Sequence, residues 1–383
     1  MTKKINNELD IDGDVQSNGD LNIGNNIEKQ EINMQVVNNG ISEQRLREVI
    51  HAEIELELKN QQILAEDKAR EKLLKFSEYV LPKLVKAEMV DAFSDPTIQM
   101  FYRETQKTAI CSERELDYSV LSELLVYRIN NKGNFEKKAS ITKAVEIVDK
   151  ISDDALISLT IKYCQTFLLV SGNISEGLNV LEEMYKNILK NFTLPENQNW
   201  IDNVEILGVV RIESLSNMLN LEDIYYNSLS GYVSKGIDKD SELYKETINK
   251  LQSNNLSIDI LVNHELNPNY VRLNIVNKDS IRNIIIRTIK DCPNGEWIYE
   301  EKILTDKQMQ ILEEIYESYA NDKTQEEEIK DVFVKKLNSY PNISKVLNWW
   351  NSNTEPAMIL NSTGRVLAHT NAKRLYDKMP DMV

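Results

Sequence analysis

The chain has 383 residues, 41% hydrophobic and 28% charged, with 45 lysines and arginines against 61 aspartates and glutamates. That apolar fraction excludes global disorder, and the formal charge of −16 disfavours nucleic acid and anionic lipid as partners. The length exceeds what one core serves, since typical domains hold about 100–200 residues, so more than one domain is expected.

No run of 18 apolar residues occurs; residues 157–170 and 281–289 are interrupted by Lys162, Gln165, Arg282 and Arg287, so no membrane span is expected. Cys111, Cys164 and Cys292 are widely separated and odd in number, and no signal-peptide pattern precedes them. Disulfides are therefore not expected, and a cytoplasmic location is.

Residues 1–40 form a head in which Ile11, Val15, Leu21, Ile23 and Ile27 alternate with polar residues and Gly13, Gly19 and Gly24 recur every five or six positions. This pattern predicts short strands and turns. Such strands bury one narrow face and leave edge amides unpaired, so they need a partner, and stacking against other copies makes those five residues candidates for self-association.

From Ser42 the spacing turns helical, with Leu46, Ile50, Ile54 and Leu58 four apart. The pattern predicts one long amphipathic helix within residues 41–90, ended or kinked by Pro82.

Residues 91–300 read as a helical body with minor β. Asp95 before Pro96 is a helix start, Ser112 and Glu115 have capping-box spacing, Ser152 opens a helix running toward Gly172, and Ser175 opens another. Further helices are expected over 201–219 and 279–290, with a strand over 270–276. Residues 301–383 predict helices over 306–319, 326–340 and 343–351, then a hairpin pairing 358–360 with 365–368 across 361–364. Three helices and a hairpin have the outline of a winged-helix module. The expected fold class is mainly α, with a β-prone head and that tail module.

The run Leu360, Asn361, Ser362, Thr363, Gly364, followed by Ala368, His369, Asn371, Lys373 and Arg374, resembles the closing signature of an uncharacterised bacterial family. There a Leu-Thr-Ser-x-Gly stretch leads into an alanine-histidine-x-asparagine segment and a basic pair. The similarity extends patchily through the Gly-Asp head, residues 46–49, 92–96 and 121–128. Asn361 stands where threonine is usual, and Arg365 and Val366 stand in a typically apolar segment. The resemblance carries no settled activity. The head is similar to short amyloid-like segments that drive self-association in bacterial defence and signalling proteins, which implies a setting in anti-phage defence or stress response.

Asp10, Asp12 and Asp14 surround Gly13, but the sixth and twelfth positions that an EF-hand loop fills with glycine and glutamate hold Val15 and Leu21. No metal and no cofactor are expected. Arg45 and His51 have the Arg-x5-His spacing of helical HEPN-type ribonucleases, with imidazole for acid–base work and guanidinium for phosphate. Six helical positions rotate by about 240°, so the two diverge in an unbroken helix. Arg365, His369, Lys373 and Arg374 make a local basic cluster for an anion or partner. His264 stands without a second histidine nearby, and no zinc, phosphate-loop or Gly-x-Ser-x-Gly pattern is present. The leading expectation is a non-enzymatic, homo-oligomeric adaptor with a possible protein partner. The alternatives are an RNA-cleaving effector built on Arg45 and His51, and a DNA-binding regulator using the tail.

Overall fold

The computed structural model describes residues 14–15, 21–22, 43–165, 173–291, 298–320, 326–352 and 356–382. The fold is mainly α, as the helical periodicities require. The chain divides into two compact units, residues 1–75 and 76–383.

In the first unit β1 (Asp14–Val15) pairs antiparallel with β2 (Leu21–Asn22), in register Val15 opposite Leu21. The helix α1 (Glu43–Lys86) begins in this unit and ends in the second. Pro82 neither ends nor replaces its last turn, because the helix continues to Lys86. Phe76, Val80 and Leu84, each at most 4% exposed, anchor that end in the core, and this burial outweighs the backbone bond that proline removes.

Within the second unit, α2 (Pro96–Cys111) starts as its sequence predicts: the Asp95 carboxylate accepts the Thr97 amide, and proline fills the first helical position. The next start differs. Arg114, not Ser112, precedes α3 (Glu115–Asn130), because the Ser112 hydroxyl is taken by the buried Asp117 carboxylate, which Arg114 also holds at 2.8 Å. After α4 (Phe135–Ile147), Ser152 caps α5 (Asp153–Cys164) through the Ala155 amide. Asn173, not Ser175, caps α6 (Ile174–Ile188).

The helix expected over 201–219 is only α7 (Asn199–Ile206). Gly208, at φ +63°, turns the chain, and the β-branched Val210 and Ile212 then enter β3 (Val210–Asn217). After α8 (Leu221–Ser228) and the single turn α9 (Ser230–Val233), β4 (Ile237–Asp238), β5 (Leu261–Asn263) and β6 (Tyr270–Leu273) form a small sheet in the order β4-β6-β5. The helix α10 (Glu242–Ser253) lies between the first two in sequence. The helix expected over 279–290 is a 3-10 turn, Lys278–Asn283, followed by β7 (Ile285–Asp291), which pairs with β8 (Ile298–Ile303). Four isoleucines and a threonine within 284–289 explain the preference for extended backbone.

The tail helices match their predicted positions as α11 (Asp306–Ala320), α12 (Glu326–Asn338) and α13 (Pro341–Ser352). The hairpin does not form. Instead β9 (Pro356–Leu360) pairs antiparallel with β3, Val210 opposite Leu360 and Ile212 opposite Met358, while 365–368 lie inside α14 (Ser362–Leu375). Asn361 then caps α14 through the Gly364 amide at 2.9 Å. The winged-helix outline fails with the hairpin. Trp349 and Trp350 on α13 are buried, their indole N–H groups donating to Pro195 O and Leu219 O, so that helix carries no groove-reading face.

Two hydrophobic cores hold the second unit. The larger joins the helices around α14, which packs on α3, α4, α5 and α6. The smaller, around Leu251, Leu273, Ile281, Leu312 and Tyr319, joins the three-stranded sheet to α10 and α11.

Candidate functional site

Three regions carry the sequence-predicted residues: the head, the exposed part of α1 and the tail helix α14. In the head, Val15 and Leu21 face each other across the β1–β2 ladder. Ile11, Ile23 and Ile27 lie outside the described residues.

Along residues 43–75, α1 leaves apolar side chains in solvent. Ile54, Leu56, Leu58, Ile63, Leu64 and Leu74 are each 50% exposed or more, and Val49 and Ile50 are also exposed. A helix gains most of its stability by burying one face, and single exposed apolar residues are ordinary while a long contiguous set marks a contact surface. Arg45 and His51 lie on this exposed segment too. The Arg45 Nη1 pairs with Glu48 at 3.1 Å, and six uninterrupted helical residues carry His51 about 9 Å along and about 240° around from it. One chain therefore does not bring the two groups to a common phosphate.

On α14, Arg365, His369 and Lys373 stand four residues apart and share a side, whereas Arg374 is turned about 100° from Lys373. The four do not form an open cationic patch. Arg365 is exposed, but His369 is only 3% exposed, its Nδ1 3.0 Å from the Tyr163 hydroxyl and its ring edge-on to Tyr163 at 5.5 Å. Burial, reinforced by the Lys373 ammonium and opposed by Asp381, holds its pKa down to about 4. The ring is neutral at physiological pH. Lys373 is held by the Asp381 carboxylate. Arg374 donates through Nε and Nη2 to the Asn371 Oδ1 at 3.1 and 2.7 Å, and the Asn371 Nδ2 donates to the Thr160 hydroxyl on α5 at 2.8 Å.

The tail signature is thus a lock between elements. Asn361 caps α14 and donates through its side-chain amide to Gly208 O at 2.6 Å, Gly364 lies against the Val209 carbonyl, and His369 and Asn371 bind α5. Replacing Asn371 with alanine is expected to destabilise the fold by about 2 kcal/mol, since Arg374 loses its acceptor and the buried Thr160 hydroxyl, which still donates to Leu156 O, loses the amide that donates to it. Chemical denaturation measures this, and an unchanged midpoint refutes the lock.

Sequence reasoning missed two buried arginines. Arg272 is 1% exposed; its Nη1 donates to Leu273 O at 3.0 Å and its guanidinium lies 4.2 Å from the Tyr232 ring centroid, while Nε and Nη2 have no hydrogen-bond partner. Arg128, 2% exposed, leaves Nε and Nη1 unpaired. Neither carries a sequence signal, because an arginine between apolar residues of a strand or helix reads as the solvent side. His264 proves structural: Nε2 donates to Ser234 O at 2.6 Å and Nδ1 accepts the amides of Leu266 and Asn267, each at 3.1 Å.

A half-open groove lies beside β7, lined by Ser257, Asp259, Asn274, Ile286 and Arg287. Its Arg287 is paired with Glu301 and its Asp259 accepts the Ser257 hydroxyl. Among the described residues no group of three His, Cys, Asp or Glu side chains is placed to hold a metal ion, and no helix is long and apolar enough to cross a membrane. Cys164 is buried and its thiol is pushed up by desolvation, whereas Cys111 is exposed.

No curated protein and no solved structure matches the chain. Its residues 40–380 match the sequence model of an uncharacterised family, and the chain belongs to that family.

Proposed function

We propose that this family member is a non-enzymatic, self-associating adaptor, with residues 43–75 of α1 and the β-prone head as its assembly elements. The observation that carries this reading is the length of helix whose apolar side chains stand in solvent, Ile54, Leu58 and Leu64 among them, each more than 45% exposed. Covering one Leu or Ile contributes about 1.5–3 kcal/mol, so several such residues along one helix supply enough to hold chains together against the cost of association. The head adds a second contact, because two-residue strands do not persist in water without further strands to pair with. Its resemblance to self-association segments is what supports a setting in bacterial defence or stress response. The formal charge of −16 favours a protein partner over nucleic acid.

Light scattering over a concentration series tests the proposal with three proteins: the full chain, a chain beginning at Gly40, and the full chain carrying Ile54→Glu and Leu58→Glu. The masses are expected to exceed the monomer for the full chain and to fall in both altered proteins. Both substitutions sit on exposed positions, so the fold is retained and circular dichroism checks it. A full chain of monomeric mass throughout rejects the proposal.

A further inference from the structure

The exposed part of α1 holds more information than its apolarity. Its side chains divide into two opposite stripes. Val49, Leu56 and Ile63 recur at seven residues on one side, and Ile50, Ile54 and Leu58 recur at four on the other, continued by Ala65 and Ala69. Along the second stripe the large side chains lie N-terminal and the small ones C-terminal.

Charge is divided the same way. Residues 43–58 carry five glutamates against Arg45 and Arg47, and residues 59–75 carry five lysines and arginines against Glu66, Asp67 and Glu71. The first half is net acidic and the second net basic.

We infer that residues 43–75 pair with the same segment of a second copy in antiparallel sense, about an axis between Lys59 and Asn60; this rests on the self-association reading above. In that arrangement Ile50 lies opposite Ala69 of the second copy and Ile54 opposite Ala65, so each of these isoleucines meets a small side chain, while Leu58 lies opposite Gln61 next to the axis and the helices approach closely on either side of it. The acidic half of each copy meets the basic half of the other, and the helix dipoles oppose. A parallel pair sets Ile54 on Ile54 and Ala65 on Ala65, leaving bulges beside gaps, and lays five glutamates beside five glutamates. The paired segment is about 50 Å long. A contact about 10 Å wide along it removes on the order of 1,000 Å² in total, the lower bound for a specific interface.

The test uses the full chain with Cys111→Ser and Cys292→Ser, in which the remaining Cys164 is buried. A nitroxide label is introduced through Gln44→Cys in one sample and Asn60→Cys in another, both exposed positions. Dipolar spectroscopy is expected to give about 15–20 Å between Asn60 labels and about 45 Å between Gln44 labels, since residue 44 of one copy then lies level with residue 75 of the other. Short distances at both positions mean a parallel pair and overturn the inference while the self-association reading stands, with the mass of the same samples still above the monomer. Absence of coupling at Asn60 in samples of oligomeric mass overturns the inference and locates assembly elsewhere. A monomeric mass overturns both.

Discussion

Gly364→Ala is expected to lower the unfolding free energy by about 3 kcal/mol, the upper end of what overpacking costs. Gly364 sits in the first turn of α14, and a Cβ built there falls far inside contact distance of the Val209 carbonyl oxygen. That oxygen cannot swing away. It also accepts the Asn361 amide at 3.2 Å, and Val209 runs directly into β3, whose ladder with β9 begins at Val210 opposite Leu360. Moving the turn therefore strains the Asn361 cap, the two-stranded sheet and the seating of α14 on α5 together. The control is Gly133→Ala, where an added Cβ meets nothing within 4 Å, and which is expected to shift the midpoint by only a few tenths of a kcal/mol. Urea denaturation of both variants decides the matter. Equal, small shifts show that the close approach relaxes without cost and remove the reason for glycine here.

Acid is expected to destabilise this protein between pH 6.5 and 4. His264 and His369 are each held down to about 4, both chiefly by burial, from an ordinary value of 6.5. In that interval the unfolded chain takes up protons that the folded chain refuses, so stability is full above pH 6.5 and is lost as pH falls toward 4. Each histidine contributes about 2–3 kcal/mol over the interval. The geometry agrees with the sign: the His264 Nδ1 already accepts two amides, and protonating it breaks both. Asp117 acts in the opposite direction, because desolvation raises its pKa despite Ser112 and Arg114, and it offsets part of the loss near the acid end. The measurement is the urea midpoint as a function of pH for the natural chain and for His264→Asn with His369→Gln. The double variant is expected to be less stable at pH 7.5 but flatter below 6.5. Parallel profiles refute the assignment.

Local chemistry explains what the sequence revealed. Asp95 and Ser152 cap helices because their side chains reach amides two or three residues ahead, an interaction that needs no distant partner. The helical periodicities of residues 43–86, 306–320, 326–338 and 341–352 likewise appear as helices. Residues 201–219 and 279–290 depart from the helix that their apolar content predicts because Gly208 and the β-branched residues favour turn and strand.

Tertiary structure alone decided the tail. The partner of β9 is a strand about 150 residues earlier, and no local signal distinguishes that pairing from a hairpin with 365–368. The choice frees 362–375 to become a helix, which in turn buries His369 and Asn371 against Tyr163 and Thr160 and converts an apparent basic cluster into an internal lock. Sequence therefore determined the helices whose caps and periodicity are local, α1, α2, α5 and α11 to α13 among them, and the apolar positions of α1. Which polar side chains are inside, and which apolar ones remain outside, depended on long-range packing, because burial is a property of what covers a residue and not of the residue itself.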